Sequence, residues 1–518
     1  MARNFLNTGT FTGWDGRNLF VGLNGGGVNS NLVMAAYPPW PAIPSALGIA
    51  VFGHNEIGLR FFHALLGLFS LFFFWRLLKL DFANAPRLRI IAFALFALSA
   101  QAILFMRQGR YYPDAFFFSL ASFYYYRLYI SSGGRWQHLA AAAGLTILNF
   151  LNHFAIGASV ALAFGCWHLL YYRRQTTKQQ WLAFAVFGSA TAIICMLYLW
   201  LMGIIGGNEQ LEYDDDIYTL SWLPRHFTLL FYYLRDTVRY GWLPLWITLW
   251  LAFMVLNKPK KTKKNPKPRK KKLSNTDQIA NINNQILRWV VLAFLNIITA
   301  AVVSVQPSTH SLADSRYLIG ALPFLMLISA ACVNWLWKQS HGKFYAPILL
   351  AALLFSNLPG YPFLAKGVFI QKKIKWPLPS LVWEIHQPYP TATKDVAEYL
   401  KKYANQDDVV YVHPWQEQVL LHFYLGDKLI FCCLLDGKDN LPKNTIKALG
   451  VPVYREDIKP TWYVAHNKTP PEEYEEVYAS TSYYYPTQRP EIEYRSFSPI
   501  PMGNNTSFKI YRLKAGAQ

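Results

Sequence analysis

Cysteine is scarce in this chain. Its 518 residues include only five cysteines, and Cys166, Cys195 and Cys332 fall inside long apolar stretches. The other two, Cys432 and Cys433, are adjacent, and adjacent cysteines rarely bridge each other. The sequence therefore excludes a disulfide framework, and we expect the cysteines to be small buried residues.

Acidic residues are also few. There are 29 of them against 50 basic residues, which gives a formal net charge of +21. Ten of the basic residues belong to one low-complexity run, KPKKTKKNPKPRKKK, at 258–272. We interpret this run as a linker that fixes membrane topology, and the alternative is attraction to anionic lipid headgroups. The charge therefore requires no nucleic-acid partner.

Long apolar stretches are abundant. About ten of them approach the ~20 residues with which a helix crosses the hydrocarbon core of a bilayer. They cover residues 61–78, 90–106, 115–130, 138–152, 154–172, 181–203, 242–256, 287–305, 317–337 and 344–364. The pattern predicts a polytopic α-helical membrane protein.

The connectors between these stretches alternate in charge. Five of them carry most of the positive charge: Arg76–Arg89, the Gly133-Gly134-Arg135 turn, Arg173-Arg174 with Lys178, residues 258–272, and Lys338–Lys343. Basic connectors favour the cytoplasmic side. The segment before the first stretch and the tail after the last one are then expected on the outer side of a plasma membrane, which we take to be prokaryotic.

The sequence lacks a convincing signal peptide or membrane span before Phe61. Residues 42–53 are apolar, but this stretch is too short to span and prolines crowd its start. An outer N-terminus needs a means of translocation. We expect one further helix upstream of Met1, missing here because the chain is truncated or its start codon is misassigned, and the alternative is an N-terminus translocated without a helix.

Four segments follow from this topology. They are an outer N-terminal segment at 1–58, a transmembrane domain at 59–364, an interfacial connector at 365–390 and an outer soluble domain at 391–518. The tail alternates helical and strand patterns: helices at Thr393–Tyr403 and Gln416–Leu425, and strands at Val409–Val412, Lys428–Leu434, Thr461–Ala465 and Phe508–Tyr511. Such alternation predicts a small α/β domain.

The most specific local motif is RQGRYYPDA at 107–115. It opens an apolar stretch on the outer side, so Asp114, Arg107 and Arg110 are expected to meet at the water boundary. The carboxylate could hold a metal, orient an acceptor or act as a base, and arginines suit a phosphate. The alternative is a carboxylate favoured by the helix dipole beside snorkelling arginines.

Three motifs in order carry a resemblance to a known family. They are YPPWPAIPSALGIAVFGHNEIGLRFFHALLG at 37–67, RQGRYYPDAFFFSLASFYYY at 107–126 and DSRYLIGALPFLMLI at 314–328. Together they resemble the polytopic GT-C glycosyltransferases, and in pattern the protein O-mannosyltransferase and aminoarabinose transferase group of family 39. The resemblance covers about the first 330 residues. It implies transfer of a sugar from a polyprenyl-phosphate carrier to an acceptor on the outer face.

The resemblance also implies roles for individual residues. Asp114 matches the second conserved acidic residue of the family, which lies by the donor phosphate or a metal. Arg316-Tyr317 matches an Arg-Tyr pair whose arginine meets the lipid phosphate, and Arg110 is a second candidate for that contact. Glu56 and Arg60 match an FG-x-x-E-x-x-x-R pattern, although a packing ion pair at a helix entry explains them equally well.

The chain departs from the family at its N-terminus. MARNFLNTGTF resembles the segment just after the family's first outer-loop carboxylate, which is regarded as the catalytic base or the acceptor-orienting group. That carboxylate would then fall before Met1. Asp15 in GWDGRN is a substitute candidate, although an Asp beside glycine is ordinarily a turn residue. Tyr37 stands where some relatives carry a basic residue.

Other outer residues allow two interpretations each. His153 could contact donor or acceptor, or could be a hydrogen-bonded structural residue at a turn, and His310 is similar. The acidic cluster at Asp214–Asp216 could bind a metal or an amine-bearing sugar, or could be a solvated loop.

The sequence and the resemblance together therefore predict a membrane glycosyltransferase. Its expected partners are a polyprenyl-phosphate-linked sugar and membrane lipids. A divalent cation held at Asp114 is the candidate cofactor. Two alternatives are a non-catalytic scaffold of the same architecture and a solute or lipid transporter. Transporters usually place charges near the bilayer midplane, whereas the acids and arginines here lie at the outer ends of the apolar stretches.

Overall fold

The computed structural model describes residues 2–9, 40–201, 222–239, 247, 250, 275–303, 317–356, 376–386, 392–413, 416–431, 459–466, 468–480 and 508–516. The N-terminal part has α1 (Ala2–Thr8), α2 (Ala42–Phe52), α3 (Glu56–Asp81), α4 (Pro86–Ala97), α5 (Ala100–Met106), α6 (Tyr111–Ser131), α7 (Trp136–Asn152), α8 (Phe154–Tyr171) and α9 (Lys178–Leu201). Then follow α10 (Trp222–Arg239), α11 (Asn275–Val303), α12 (Leu322–Trp337), α13 (Gly342–Phe355) and α14 (Pro377–His386).

Several of these helices can cross a membrane. Within the described ranges, four are long and apolar enough: Glu56–Asp81, Phe154–Tyr171, Lys178–Trp200 and Ile282–Val303. Large apolar side chains on α9, among them Leu182 and Ile193, are 66% and 65% exposed. An exposed apolar surface of this kind is stable against lipid. The chain is an integral membrane protein, and the count of about ten spans remains a prediction.

The second predicted stretch, 90–106, is not one straight helix. It is divided into α4 and α5, which meet at an angle of 57° and would form a fifth span together. The break falls at Ser99, whose hydroxyl accepts a hydrogen bond from the backbone N–H of Ala102 and so begins α5. A side-chain cap of this kind offers the backbone an alternative to a continuous helix.

Helices α3 and α6 run side by side in the same direction. Near their starts, His63 contacts Asp114, and near their ends, Asp81 contacts Arg127. Helix α8 ends near the same point. Tyr172, the residue after this helix, accepts a hydrogen bond on its hydroxyl from Arg127 at 2.8 Å. Parallel neighbours require a return crossing between them, which α4 with α5 and then α7 supply.

The basic connectors gather at this end of the bundle. Arg87 lies 4.9 Å from the ring centre of Trp337, and the Tyr129 hydroxyl donates to the carbonyl oxygen of Gln180 at 3.5 Å. The turns that follow α3, α6, α8 and α12 therefore share one end, which we call the basic end. The fifth basic connector, 258–272, lies outside the described residues.

A buried polar network joins the helices at the basic end. Arg127 donates to Asp81 from Nη2 at 2.6 Å, and Trp289 Nε1 donates to the other carboxylate oxygen at 2.8 Å. Arg288 donates to Tyr172 at 3.1 Å. Sequence reasoning did not identify Asp81, Arg127 or Trp289. The network connects α3, α6 and α11 with the residue after α8.

The tail folds as an α/β domain, as its alternating pattern predicted. It contains α15 (Ala392–Tyr403), α16 (Gln416–Leu425) and five strands: β1 (Val409–His413), β2 (Ile430–Phe431), β3 (Trp462–His466), β4 (Tyr474–Ala479) and β5 (Phe508–Leu513). The sheet order is β2-β1-β3-β5-β4. β1 is parallel to β2 and β3, whereas β5 is antiparallel to β3 and β4. Its core includes Val396, Leu400, Val410 and Ile510.

Helix α16 of the tail contacts the start of α3, opposite the basic end. The Tyr424 hydroxyl donates to Glu56 Oε1 at 2.7 Å, and the rings of Phe423 and His54 are 4.4 Å apart. Burial, followed by the neighbouring Glu56 carboxylate, raises the pKa of Tyr424. The phenol therefore keeps its proton and remains a donor over the ordinary pH range. Helix α14 lies at this end too, with Leu381 packed on Ala100 and Leu104 of α5.

The cysteines differ in burial more than expected. Cys332 is buried, Cys195 is intermediate and Cys166 is exposed on α8. Since α8 is long and apolar enough to span, we attribute the exposure of Cys166 to lipid contact. All three are free thiols, and Cys432 and Cys433 lie outside the described residues.

Candidate functional site

The site is built on a close hairpin of α2 and α3. Two glycines make this possible: a Cβ added to Gly48 would overlap the carbonyl oxygen of Gly58. Asn55 begins α3 by accepting a hydrogen bond from the Gly58 N–H at 2.9 Å. The hairpin brings Trp40 and Ser45 beside α3 and α6, where the Trp40 and Phe118 ring centres are 5.3 Å apart.

A chain of three polar side chains lies under this hairpin. Ser45 Oγ is 2.9 Å from His63 Nε2, and His63 Nδ1 is 2.8 Å from Asp114 Oδ1. His63 and Asp114 are 0% exposed, and Ser45 is 4% exposed. A neutral His63 with its proton on Nδ1 would donate to Asp114 and accept from Ser45. That arrangement satisfies both ring nitrogens.

Asp114 is therefore not at the water boundary, where the sequence placed it. Its side chain points into the bundle toward His63, while Arg110 is exposed and Arg107 is half-buried. The histidine explains the difference, because a buried carboxylate needs a hydrogen-bond donor in place of water.

The second oxygen of Asp114 lacks a hydrogen-bond partner within the protein. Asp114 Oδ2 is buried and unpaired, and so is the indole nitrogen Nε1 of Trp40. The Trp40 indole is nevertheless a weak donor to this same carboxylate, although their contact falls outside ordinary hydrogen-bond geometry. Buried polar groups are usually hydrogen-bonded, and an unpaired one costs about 1–3 kcal/mol.

Glu56 and Arg60 lie at the mouth of the hairpin. Their charged atoms are 3.8 Å apart and both side chains are about half exposed. Gly109 of the RQGR segment packs against this turn, since a Cβ there would lie 3.3 Å from Arg60 Cγ. The structure thus brings the first two sequence motifs together, with Arg60 beside the loop that leads to Asp114.

His153 and Tyr317 also come together, beside the start of α6. Their ring centres are 5.4 Å apart, and the His153 ring is 4.3 Å from that of Tyr111. His153 Nδ1 accepts from the Ile156 N–H at 3.4 Å and so begins α8. This histidine therefore has a structural role, and its ring also borders the region of the third motif.

Several predicted site residues lie outside the described residues. These are Asp15, Tyr37, the acidic cluster at Asp214–Asp216, His310 and Arg316. Their proposed roles remain predictions. Tyr317, the neighbour of Arg316, is described and begins a short turn before α12.

The residues around Asp114 do not form a metal site by themselves. Within the described part of the chain, no group of three or more His, Cys, Asp or Glu side chains could hold a metal ion. His63 uses one ring nitrogen on Asp114 and the other on Ser45, which leaves Asp114 Oδ2 as one free ligand atom. The divalent cation remains a prediction.

Sequence reasoning missed His63, Ser45 and Trp40. A signal for His63 was present, because an ionisable residue within an apolar span requires a partner inside the protein. The partner is 51 positions away. Only the parallel packing of α3 and α6 identifies it.

Sequence comparisons match only part of this chain. No family model matches the chain. An uncharacterized protein of Aquifex aeolicus is 33% identical over 96 residues, which is 18% of this chain and 18% of that protein. The chain thus spans less than a fifth of the length of this relative.

Two solved structures of one protein resemble the whole fold. Apo ArnT from Cupriavidus metallidurans superposes with a TM-score of 0.51 at 12% identity, covering 89% of this chain and 86% of that one. ArnT bound to undecaprenyl phosphate gives a TM-score of 0.48 at 12% identity, covering 85% and 81%. The likeness to the apo structure includes the membrane helices and extends into the tail, and it shows that this chain has an ArnT-like fold.

Proposed function

We propose that this protein is a membrane glycosyltransferase of the GT-C class, which transfers a monosaccharide from a polyprenyl-phosphate carrier to an acceptor. The observation that carries the proposal is the buried Asp114, held by His63 and retaining one unpaired oxygen. It lies in a GT-C-like fold, at the end of the bundle opposite the basic connectors. ArnT, the protein of matching fold, has been solved with undecaprenyl phosphate.

The proposed reaction is a displacement at the anomeric carbon. An oxygen of the acceptor forms the new glycosidic bond while the bond from the anomeric carbon to the carrier phosphate oxygen breaks. The acceptor proton passes to a base, for which Asp15 is the sequence-derived candidate. Arg316 and Arg110 are the proposed cations that stabilise the leaving phosphate.

The basic connectors support an orientation. Because four of them share one end of the bundle, that end is proposed to be cytoplasmic. The Asp114 region and the tail domain are then extracytoplasmic. A carrier lipid would present its sugar on that side, within reach of α2, α3 and α6.

Transfer in proteoliposomes tests the function. The protein would be reconstituted with undecaprenyl-phosphate-linked hexoses and pentoses and a membrane extract as the acceptor source, and released undecaprenyl phosphate would be measured by mass spectrometry. We expect turnover by the natural chain and a loss of about tenfold or more in Asp114→Asn, the scale for a lost hydrogen bond to a charged group. Asp427→Asn is the matched control, because its carboxylate is 80% exposed on the tail.

The same assay separates the alternatives. Carrier binding without turnover of any donor would favour the scaffold, and movement of an intact labelled lipid between leaflets would favour a transporter. Turnover by Asp114→Asn at the natural rate would contradict the proposed site.

A further inference from the structure

We infer that the end of α3 and the start of α4 form a binding site for one anionic phospholipid at the basic end of the bundle. Two cations meet there near one indole ring. Lys79 Nζ lies 5.3 Å from the ring centre of Trp75, and the guanidinium carbon of Arg89 lies 5.9 Å from the same centre. The site is separate from the Asp114 region, which lies near the other end of α3.

The ion pairs of the described residues include neither of these cations. Asp81, the acid closest in sequence, accepts its hydrogen bonds from Arg127 and Trp289 instead. The indole ring attracts both cations but carries no net charge. Two positive charges at one ring repel each other. An anion bound beside Lys79 and Arg89 would therefore be stabilised by both.

An exposed apolar column leads along α3 to these cations. Leu68, Phe72, Trp75 and Lys79 recur at the spacing that places residues on one face of a helix. Leu68 is 61% and Phe72 is 53% exposed, on a helix long and apolar enough to span. At 1.5 Å per residue, Leu68 lies about 16 Å along the axis from Lys79. That length is close to half of the ~30 Å hydrocarbon core, so the column matches one leaflet.

A phospholipid uses both parts of this surface. Its acyl chain lies along Leu68 and Phe72, and its phosphate lies beside Lys79 and Arg89. Basic side chains at the ends of membrane helices also reach toward water without binding a particular lipid. Arg173 and Arg174 fit that description, because both are exposed in a basic connector and neither lies over an aromatic ring of the described residues. This pair therefore provides a matched control.

Photolabelling in nanodiscs tests the site. The probe is phosphatidylglycerol with a diazirine on one acyl chain, phosphatidylcholine with the same chain is the neutral comparison, and label on each peptide is quantified by mass spectrometry as the probe fraction increases. We expect phosphatidylglycerol to label α3 near Leu68 and Phe72 more strongly than phosphatidylcholine does. Lys79→Gln with Arg89→Gln should raise the half-saturating probe fraction about 25-fold, because each basic residue near an anionic headgroup is worth about fivefold in affinity. Arg173→Gln with Arg174→Gln removes the same charge and should leave that fraction nearly unchanged.

Two further measurements identify the ligand. Arg89→Lys keeps the charge and should label like the natural chain, and excess inorganic phosphate should not reduce the label, because it lacks an acyl chain to pack on Leu68 and Phe72. Labelling of the natural chain itself does not depend on any variant folding. Equal labelling of α3 by the two lipids, equal losses in the two double variants, or displacement of the probe by inorganic phosphate or undecaprenyl phosphate would each overturn the phospholipid site.

Discussion

Removing one partner of the buried ion pair at the basic end should lower the unfolding free energy of the protein by a large amount. Asp81 is 1% exposed and Arg127 is 10% exposed, with a shortest N–O distance of 2.6 Å. Asp81→Asn removes the negative charge but leaves an amide oxygen that can still accept from Trp289. Arg127 then keeps Tyr172 as an acceptor without a counter-charge. Removing one partner of a buried pair costs about 3–5 kcal/mol, and we expect a loss in that range.

The measurement is the unfolding free energy in mixed dodecyl maltoside and SDS micelles. Arg127→Met should cost a similar amount, because it leaves the Asp81 charge buried. The double variant should be far more stable than the sum of the two losses predicts, since a buried pair replaced as a whole is often near neutral. Arg60→Met is the matched control in the same helix, because its pair with Glu56 is 3.8 Å long and half exposed. We expect it to cost less than about 1 kcal/mol.

Additivity would refute this reasoning. If the double variant lost the sum of the single losses within about 0.5 kcal/mol, the two side chains would be energetically independent. A loss below about 1 kcal/mol for Asp81→Asn would show that water or lipid headgroups solvate Arg127, as at an exposed pair.

Two further predictions concern packing and topology. Gly48→Ala should lower the unfolding free energy by about 1–3 kcal/mol, because the added Cβ would meet the Gly58 carbonyl oxygen. Gly165→Ala is the control and should be neutral or stabilising, because the space at its Cβ is open. Equal effects of the two changes would contradict the close hairpin. A cysteine at Glu475, on the tail domain, should react with an impermeant thiol reagent in intact cells. A cysteine at Ser340 should react only after permeabilisation, because Ser340 lies in a basic connector. The reverse pattern would invert the proposed orientation.

Much of the fold follows from the sequence, because membrane helices and alternating elements leave local patterns. Helix Gln416–Leu425 has the predicted bounds, and helix α15 and strands β1, β3 and β5 differ from prediction by one or two residues at one or both ends. Strand β2 is shorter than predicted, and β4 was not predicted. The break at Ser99 could not be predicted from hydropathy, since both halves of that stretch are apolar. It depends on one side-chain cap.

The candidate site could be predicted only in part. Asp114, Glu56 and Arg60 came from motifs, and the structure places them on adjacent elements. The sequence placed Asp114 at the water boundary, and this prediction was wrong, because Asp114 is buried against His63 of another helix. Hydrogen bonds between distant residues depend on helix packing, which the order of apolar stretches does not specify.

The two ends of α3 and α6 differ in how their buried charges are satisfied. At the basic end, both oxygens of Asp81 accept hydrogen bonds, from Arg127 and Trp289. At the other end, Asp114 has His63 as its one well-placed partner, and the Trp40 indole is only a weak donor to the same carboxylate. Unpaired buried groups are destabilising, by about 1–3 kcal/mol each. The same pair of helices thus has a fully satisfied polar cluster at the basic end and an incompletely satisfied one at the other end, where we propose that the substrate binds. This asymmetry favours binding, rather than packing, as the role of Asp114.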